Sequence, residues 1–145
     1  MNRLLLAVAL TISLMLPCIP SHAQSLKQQN MIASDTQKVG ELAREANQAC
    51  DSRIEFRVDY ASYAHVLDDD NNQSPWAYLA NAADALKRVC RSDAGKQAVQ
   101  AKIKLVTVSN GDTETETLQG GEFHYIVPYR GHSPATVISW LEANL

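Results

Sequence analysis

Outside its first 23 residues the chain carries few side chains whose type and spacing could do chemistry: Cys50 and Cys90, the acidic run Asp68, Asp69 and Asp70, and His65, His124 and His132. Asp68, Asp70 and Asn72 imitate the first ligands of a calcium loop. The imitation fails at the sixth position, Gln73 where a glycine must turn the chain, and at the twelfth, Leu79 where a bidentate glutamate is needed. The histidines are widely separated and form no zinc-type spacing. His124 alternates with Phe123 and Tyr125 and is therefore expected to point away from the core, beside Ile126. No nucleophile elbow, phosphate loop or dinucleotide fingerprint occurs. The reading is of a chain with no catalytic residue, no metal and no cofactor.

The cysteines read differently. The N-terminus has a positive Arg3, an apolar run from Leu4 to Leu16 and a small-residue exit ending Ser21-His22-Ala23, the pattern of a secretory signal peptide cut after Ala23. The apolar run is short for a membrane span, so a periplasmic or secreted chain over 24–145 is expected, with no transmembrane segment. Under oxidising conditions two remaining cysteines pair. Closing a loop of about 40 residues is worth roughly 4 kcal/mol in the chain-entropy model.

The full sequence has 13 Lys and Arg against 16 Asp and Glu, net −3, which argues against general nucleic-acid binding. Charge is uneven, because the segment Lys87 to Lys104 holds six basic residues and only Asp93. Complementing helix ends is the reading preferred for that cluster over an anion site.

Elements that would position these residues follow from periodicity. Ser74 to Cys90 reads as a helix, with Ser74 as cap, Pro75 at the first helical position and an apolar stripe of Trp76, Leu79, Ala83, Leu86 and Cys90. An earlier helix runs from Asp35 or Thr36 to Cys50, after a frayed start over 24–34. Both cysteines then lie in last turns, so the bridge should join two helix C-termini. Arg53 to Tyr60 alternates strictly, with Ile54, Phe56, Val58 and Tyr60 inward, and its outward charges suit cross-strand ion pairs. Ser92 or Asp93 caps a short helix before the strand Lys102 to Ser109. Asn110-Gly111 reads as a hairpin, the Thr/Glu strand Thr113 to Leu118 as a polar sheet edge, Gly120-Gly121 as a second turn and Phe123 to Tyr129 as the last strand. A three-residue loop over Ser109 to Gly111 would set Lys104 opposite Glu116 and Leu105 opposite Thr115. Pro134 opens a final helix buried through Val137, Ile138, Leu141 and Leu145. The expected fold is one α+β domain in the order α-β-α-α-β-β-β-α. Its antiparallel sheet, one N-terminal strand plus a three-stranded meander, is covered by helices on one face.

Cys50 before the alternating IEFRVDYASY, the second helical cysteine, GKQAVQAKIKLVTV leading into a strand, and the closing WLEANL resemble an uncharacterised family of small exported bacterial proteins with two cysteines and no assigned activity. The resemblance spans Cys50 to Leu145 and brings over no catalytic residue.

With no catalytic constellation, a rigidifying bridge and a small exported chain, the leading expectation is a non-catalytic periplasmic protein-binding module. It would act as an inhibitor or toxin-immunity factor against another exported protein. Its expected contact residues are Asp68, Asp69, Asp70, Glu114 and Glu116. Tyr60, Tyr63, Tyr125, Tyr129 and Trp140 are read first as core and rim packing, and second as an exposed aromatic set suited to such an interface. The alternative is a carrier of a small apolar ligand or envelope component, with a pocket lined by Phe56, Tyr60, Leu79 and Tyr125. A hydrolase using His124 or His132 is the third reading.

Overall fold

The computed structural model describes residues 26–64, 66, 74–129 and 134–145. The expected signal peptide, His65, Asp68 to Asp70, and His132 lie outside the described residues.

Helix α1, Leu26–Cys50, starts well before the Asp35 or Thr36 expected from periodicity. Residues 26–34 lack an apolar stripe but contain good helix formers and neither Gly nor Pro, and Met31 packs on the core, so the helix continues where fraying was expected. Asp35, 1% exposed, accepts hydrogen bonds from the hydroxyls of Tyr60 and Ser74. Ser74 therefore does not cap the next helix with its side chain, as expected. Its hydroxyl donates to a buried carboxylate, a stronger partner than a helix amide, while its backbone carbonyl accepts from the Ala77 amide at 3.0 Å.

The end of α1 is closed by a left-handed residue, Asp51 (φ 49°), with the Ser52 amide donating to the Asn47 carbonyl at 3.0 Å. Asn47 then fixes the chain's exit into strand β1, Glu55–Val58. Its amide nitrogen donates to the Ile54 carbonyl at 2.9 Å, and its Oδ1 accepts from the Ile54 amide at 2.7 Å and from Ser52 Oγ at 2.9 Å. Strand β1 buries Ile54, Phe56 and Val58 and exposes Arg53, Glu55 and Arg57, as the alternation requires. The expected cross-strand ion pair is replaced by one within the strand, Arg57 to Glu55 at 2.8 Å, because the neighbouring strand presents Leu105 and Thr107 there.

After a single 3-10 turn, Tyr60–Tyr63, helix α2 runs over Trp76–Val89. It buries Tyr78, Leu79, Ala82, Ala83, Ala85 and Leu86, a wider arc than the predicted stripe, because α1 packs on one side, a later helix on the other and the sheet beneath. Cys90, just beyond α2, is bonded to Cys50, the last residue of α1. The two helix C-termini are thus held together as expected. Helix α3, Asp93–Lys102, is capped by Ser92 Oγ accepting from the Gly95 amide at 3.0 Å. A Cβ on Gly95 would lie 2.0 Å from the Val89 carbonyl oxygen, so only glycine lets α3 start this close to α2. Gln100 on α3 donates to the carbonyls of Cys50 and Asp51, at 3.0 and 2.9 Å, clamping the bridged end of α1.

Strands β2 (Leu105–Asn110), β3 (Thr115–Gln119) and β4 (Glu122–Val127) complete a four-stranded sheet, and helix α4 (Pro134–Asn144) follows. The sheet is mixed. Its order is β1-β2-β4-β3, with β1 parallel to β2, β2 parallel to β4 and only β3 antiparallel to β4. The all-antiparallel sheet and the meander are therefore corrected. Asn110-Gly111 makes no hairpin, and neither Lys104 nor Leu105 faces β3, because β4 lies between β2 and β3. The reason is burial: β2 hides Val106, Thr107, Val108 and Ser109 on both faces and needs a neighbour on each side, which the polar β3 cannot supply as well as Phe123 to Val127. Gly120-Gly121 does form the predicted tight turn, with φ of 59° and 88°, and β3 does form a sheet edge.

Helices α1, α2 and α4 pack on the face that carries Phe56, Val58, Val106, Val108, Phe123, Tyr125 and Val127. Trp140 of α4 meets the Phe123 ring at 5.5 Å. No helix among the described residues is long and apolar enough to cross a membrane.

Two changes test this account of the fold. Replacing Cys50 and Cys90 by Ala is expected to lower unfolding free energy by about 4 kcal/mol, and a reductant should then have no further effect on the urea midpoint. Asn47→Ala, which strands both polar groups of Ile54, is expected to cost about 2 kcal/mol, with Asn47→Asp intermediate because it keeps the acceptor and loses the donor.

Candidate functional site

Side chains at even positions of β2 face the helices, and the last of them is polar. Asn110 donates from its backbone amide to Ser62 Oγ at 2.8 Å and from Nδ2 to the Ser62 carbonyl at 3.3 Å. Its Oδ1 is buried and has no partner among the described residues. Beside Ser62, Tyr63 is fully buried and stacked on Tyr78, ring centroids 6.2 Å apart, and its hydroxyl is also unpaired. From β4, Tyr125 pairs in register with Val108 and sends its hydroxyl to Glu114 Oε1 at 2.9 Å. Glu116 lies directly opposite Tyr125 on β3 and so shares its face; its Oε1 is the third buried atom without a partner.

Asn110 ends β2, Tyr125 and Glu116 face each other two residues before the end of β4, and Tyr63 and Glu116 both act on the Tyr125 phenol. Buried polar atoms are normally satisfied, and leaving each unpaired costs about 1–3 kcal/mol. Their electrostatics agree with their positions. Burial raises the Tyr125 phenol, helped by the hydrogen bond and charge of Glu114 and by Glu116 and Tyr63. Burial likewise raises Tyr63, with contributions from Tyr78 and Asp59, and raises Tyr78, with a contribution from Tyr129. Glu116 is raised by burial and then by the charge of Glu114, partly offset by a backbone hydrogen bond. No basic side chain contributes to the shift of Glu116 or of Tyr125.

The phenols of this cluster, raised by burial, stay neutral. No group of three His, Cys, Asp or Glu side chains suited to a metal exists among the described residues.

A different pair lies on the opposite face of the sheet, where Ser109 Oγ is 2.8 Å from His124 Nε2 and Thr107 Oγ1 donates to Glu122 Oε1 at 2.6 Å. His124 points away from the core, as read from its alternation. Its serine partner was hidden from sequence reasoning, because the two meet only through the β2–β4 register. Among the described residues no carboxylate bonds the other ring nitrogen, so the arrangement lacks the orienting third group of a hydrolytic triad.

Of the expected contact residues, Glu114 and Glu116 are brought together at the cluster, while Asp68, Asp69 and Asp70 lie outside the described residues. Phe56, Leu79 and Tyr125 belong to the continuous core and Tyr60 packs against it. Tyr63 and Tyr125, expected among exposed aromatics, have no exposed surface. Three of the six basic residues in the segment Lys87 to Lys104 bond within the fold. Lys87 pairs with Asp84 at 2.7 Å and Glu45 at 3.2 Å, Lys102 donates to the last carbonyls of α4, and Lys104 donates to the Gln100 carbonyl. Asn110 was missed, since Asn-Gly reads first as a turn. Comparison with family models, curated proteins and solved structures finds no match, so the geometry carries the functional argument alone.

Glu116 binds its proton more readily in the folded than in the unfolded chain, so its contribution to stability falls as pH rises from the ordinary glutamate range through its raised folded value. Glu116→Gln is expected to remove that fall. The variant should match the parent at low pH and exceed it at neutral pH, as read from urea midpoints across the range.

Proposed function

We propose that the chain is an exported, non-catalytic binding protein that docks on another exported protein, as an inhibitor or toxin-immunity factor does, through the β3 edge and the polar cluster behind it. The observation that carries this reading is Glu116: a carboxylate with a buried, unpaired oxygen, placed on an edge strand. An edge strand offers its free backbone groups to an incoming segment, and the adjacent cluster offers a polar anchor for one side chain of that segment. The Cys50–Cys90 bridge supports an oxidising compartment and a preformed surface. An apolar carrier would need space that Leu79 and Tyr125 fill with their own wholly buried side chains.

The test is affinity capture from the host's exported proteins with the oxidised chain as bait, beside a Glu114→Ala, Glu116→Ala double variant. One stoichiometric partner, retained by the parent and lost with the variant, is the expected result. A partner held equally by both, or none at all, would overturn the assignment.

A further inference from the structure

Asn110-Gly111 has the sequence of a turn, yet it makes no hairpin and closes the end of β2. Both residues are dictated by their neighbours. Asn110 donates from its backbone amide to Ser62 Oγ at 2.8 Å and from Nδ2 to the Ser62 carbonyl at 3.3 Å, which ties β2 to the 3-10 turn. Gly111 lies against β4, where a Cβ would stand 2.4 Å from Ile126 Cγ2. The pair that packing selects here is also chemically labile. An asparagine followed by glycine is prone to spontaneous deamidation, because no side chain on the second residue shields its backbone nitrogen or restricts its rotation.

In that reaction the Gly111 nitrogen gives its proton to a solvent base and bonds to Asn110 Cγ, while Oδ1 takes up negative charge. The Cγ–Nδ2 bond then breaks and ammonia leaves. Water opens the resulting five-membered imide at either carbonyl, giving aspartate or isoaspartate. The native fold opposes each stage. The Gly111 N–H is engaged, donating to the Val127 carbonyl at 3.3 Å. The leaving amide is held by the Ser62 carbonyl, so Cγ swings toward the Gly111 nitrogen only if that bond is given up. Oδ1, where charge develops, is buried and has no donor among the described residues, the reverse of an oxyanion hole. We infer that Asn110-Gly111 is a deamidation site that the native end of β2 keeps closed, and that it opens to modification when Ser62 and Val127 release it. The change is then one-way. An aspartate would set a carboxylate oxygen against the Ser62 carbonyl where an N–H had donated, and an isoaspartate would lengthen the backbone of β2 by one atom, so neither product restores the closed end.

Incubation of the oxidised chain in mildly alkaline buffer tests this, with peptide mass spectrometry following conversion of Asn110 to aspartate and isoaspartate. The same chain, reduced and unfolded in urea, is the reference. The folded chain is expected to react at Asn110 at least about tenfold more slowly than the unfolded one. Ser62→Ala, which removes the acceptor of the Asn110 backbone amide, should raise the folded rate by about fivefold. Asn47→Ala weakens the fold where Ile54 enters β1, beside the start of β2 and away from Asn110, and should leave the rate at the parent's value. If Ser62→Ala does not fold, the comparison of folded with unfolded parent still decides. Equal rates in folded and unfolded parent, an unchanged rate in folded Ser62→Ala, or an equal acceleration by Asn47→Ala, which would mean that only global unfolding exposes the pair, would each overturn the inference.

Discussion

The parallel pairing of β2 with β4 is the constraint on which the rest of this structure depends. It sets Val106 beside Phe123 and Val108 beside Tyr125, so one face of two central strands becomes a continuous apolar floor for α2 and α4. It also pushes β3 to the edge, where a strand of threonines and glutamates meets water at least cost. The same register ends β2 at Asn110 opposite Val127, which brings a polar side chain to the helix-covered face just where that face runs out. Asn110 and Tyr125 share that face because β4 lies beside β2, and Glu116 faces Tyr125 through the β3–β4 pairing.

The helical layer is held by a second set of interactions, concentrated at its two ends. At one end the Cys50–Cys90 bridge, the Gln100 amide on the last carbonyls of α1 and the close approach allowed by Gly95 lock α1, α2 and α3 together. At the other, buried Asp35 gathers the Tyr60 and Ser74 hydroxyls, and Lys38 lies over the Trp76 ring at 4.7 Å. Asn47 couples this layer to the sheet by satisfying both backbone groups of Ile54. The candidate cluster lies outside both locks. It is left with polar atoms unpaired while polar groups elsewhere in the core are bonded, as at Asp35 and Ser109. Three buried polar atoms left unpaired on this side of the sheet cost stability there.

The two faces of the sheet carry different chemistry. The Ser109–His124 pair has the atoms of a nucleophile and a base, and among the described residues no carboxylate orients it. The cluster on the other face has carboxylates and phenols, with three buried acceptors unpaired.

Much of the fold was legible in the residues. The alternation of Ile54, Phe56 and Val58 named the buried face of β1, Ser92 or Asp93 marked the start of α3, Gly120-Gly121 marked a turn, and an expected export signal plus two cysteines implied the bridge. Each of these is a local property: side-chain period, cap chemistry, backbone φ or redox setting. Glu114 and Glu116 were legible as candidates because acidic residues on an apparent edge strand stand out. What only the tertiary structure decided is which strand lies beside which. Backbone hydrogen bonds are the same for every neighbour, so pairing is chosen by the total burial that an arrangement allows, and Asn110-Gly111 had the local chemistry of a hairpin that this total overrode. The order β1-β2-β4-β3 then settled what no local pattern contains: that Asn110 ends beside Val127 and that Ser109 meets His124, whereas Glu116 opposite Tyr125 follows from the Gly120-Gly121 turn.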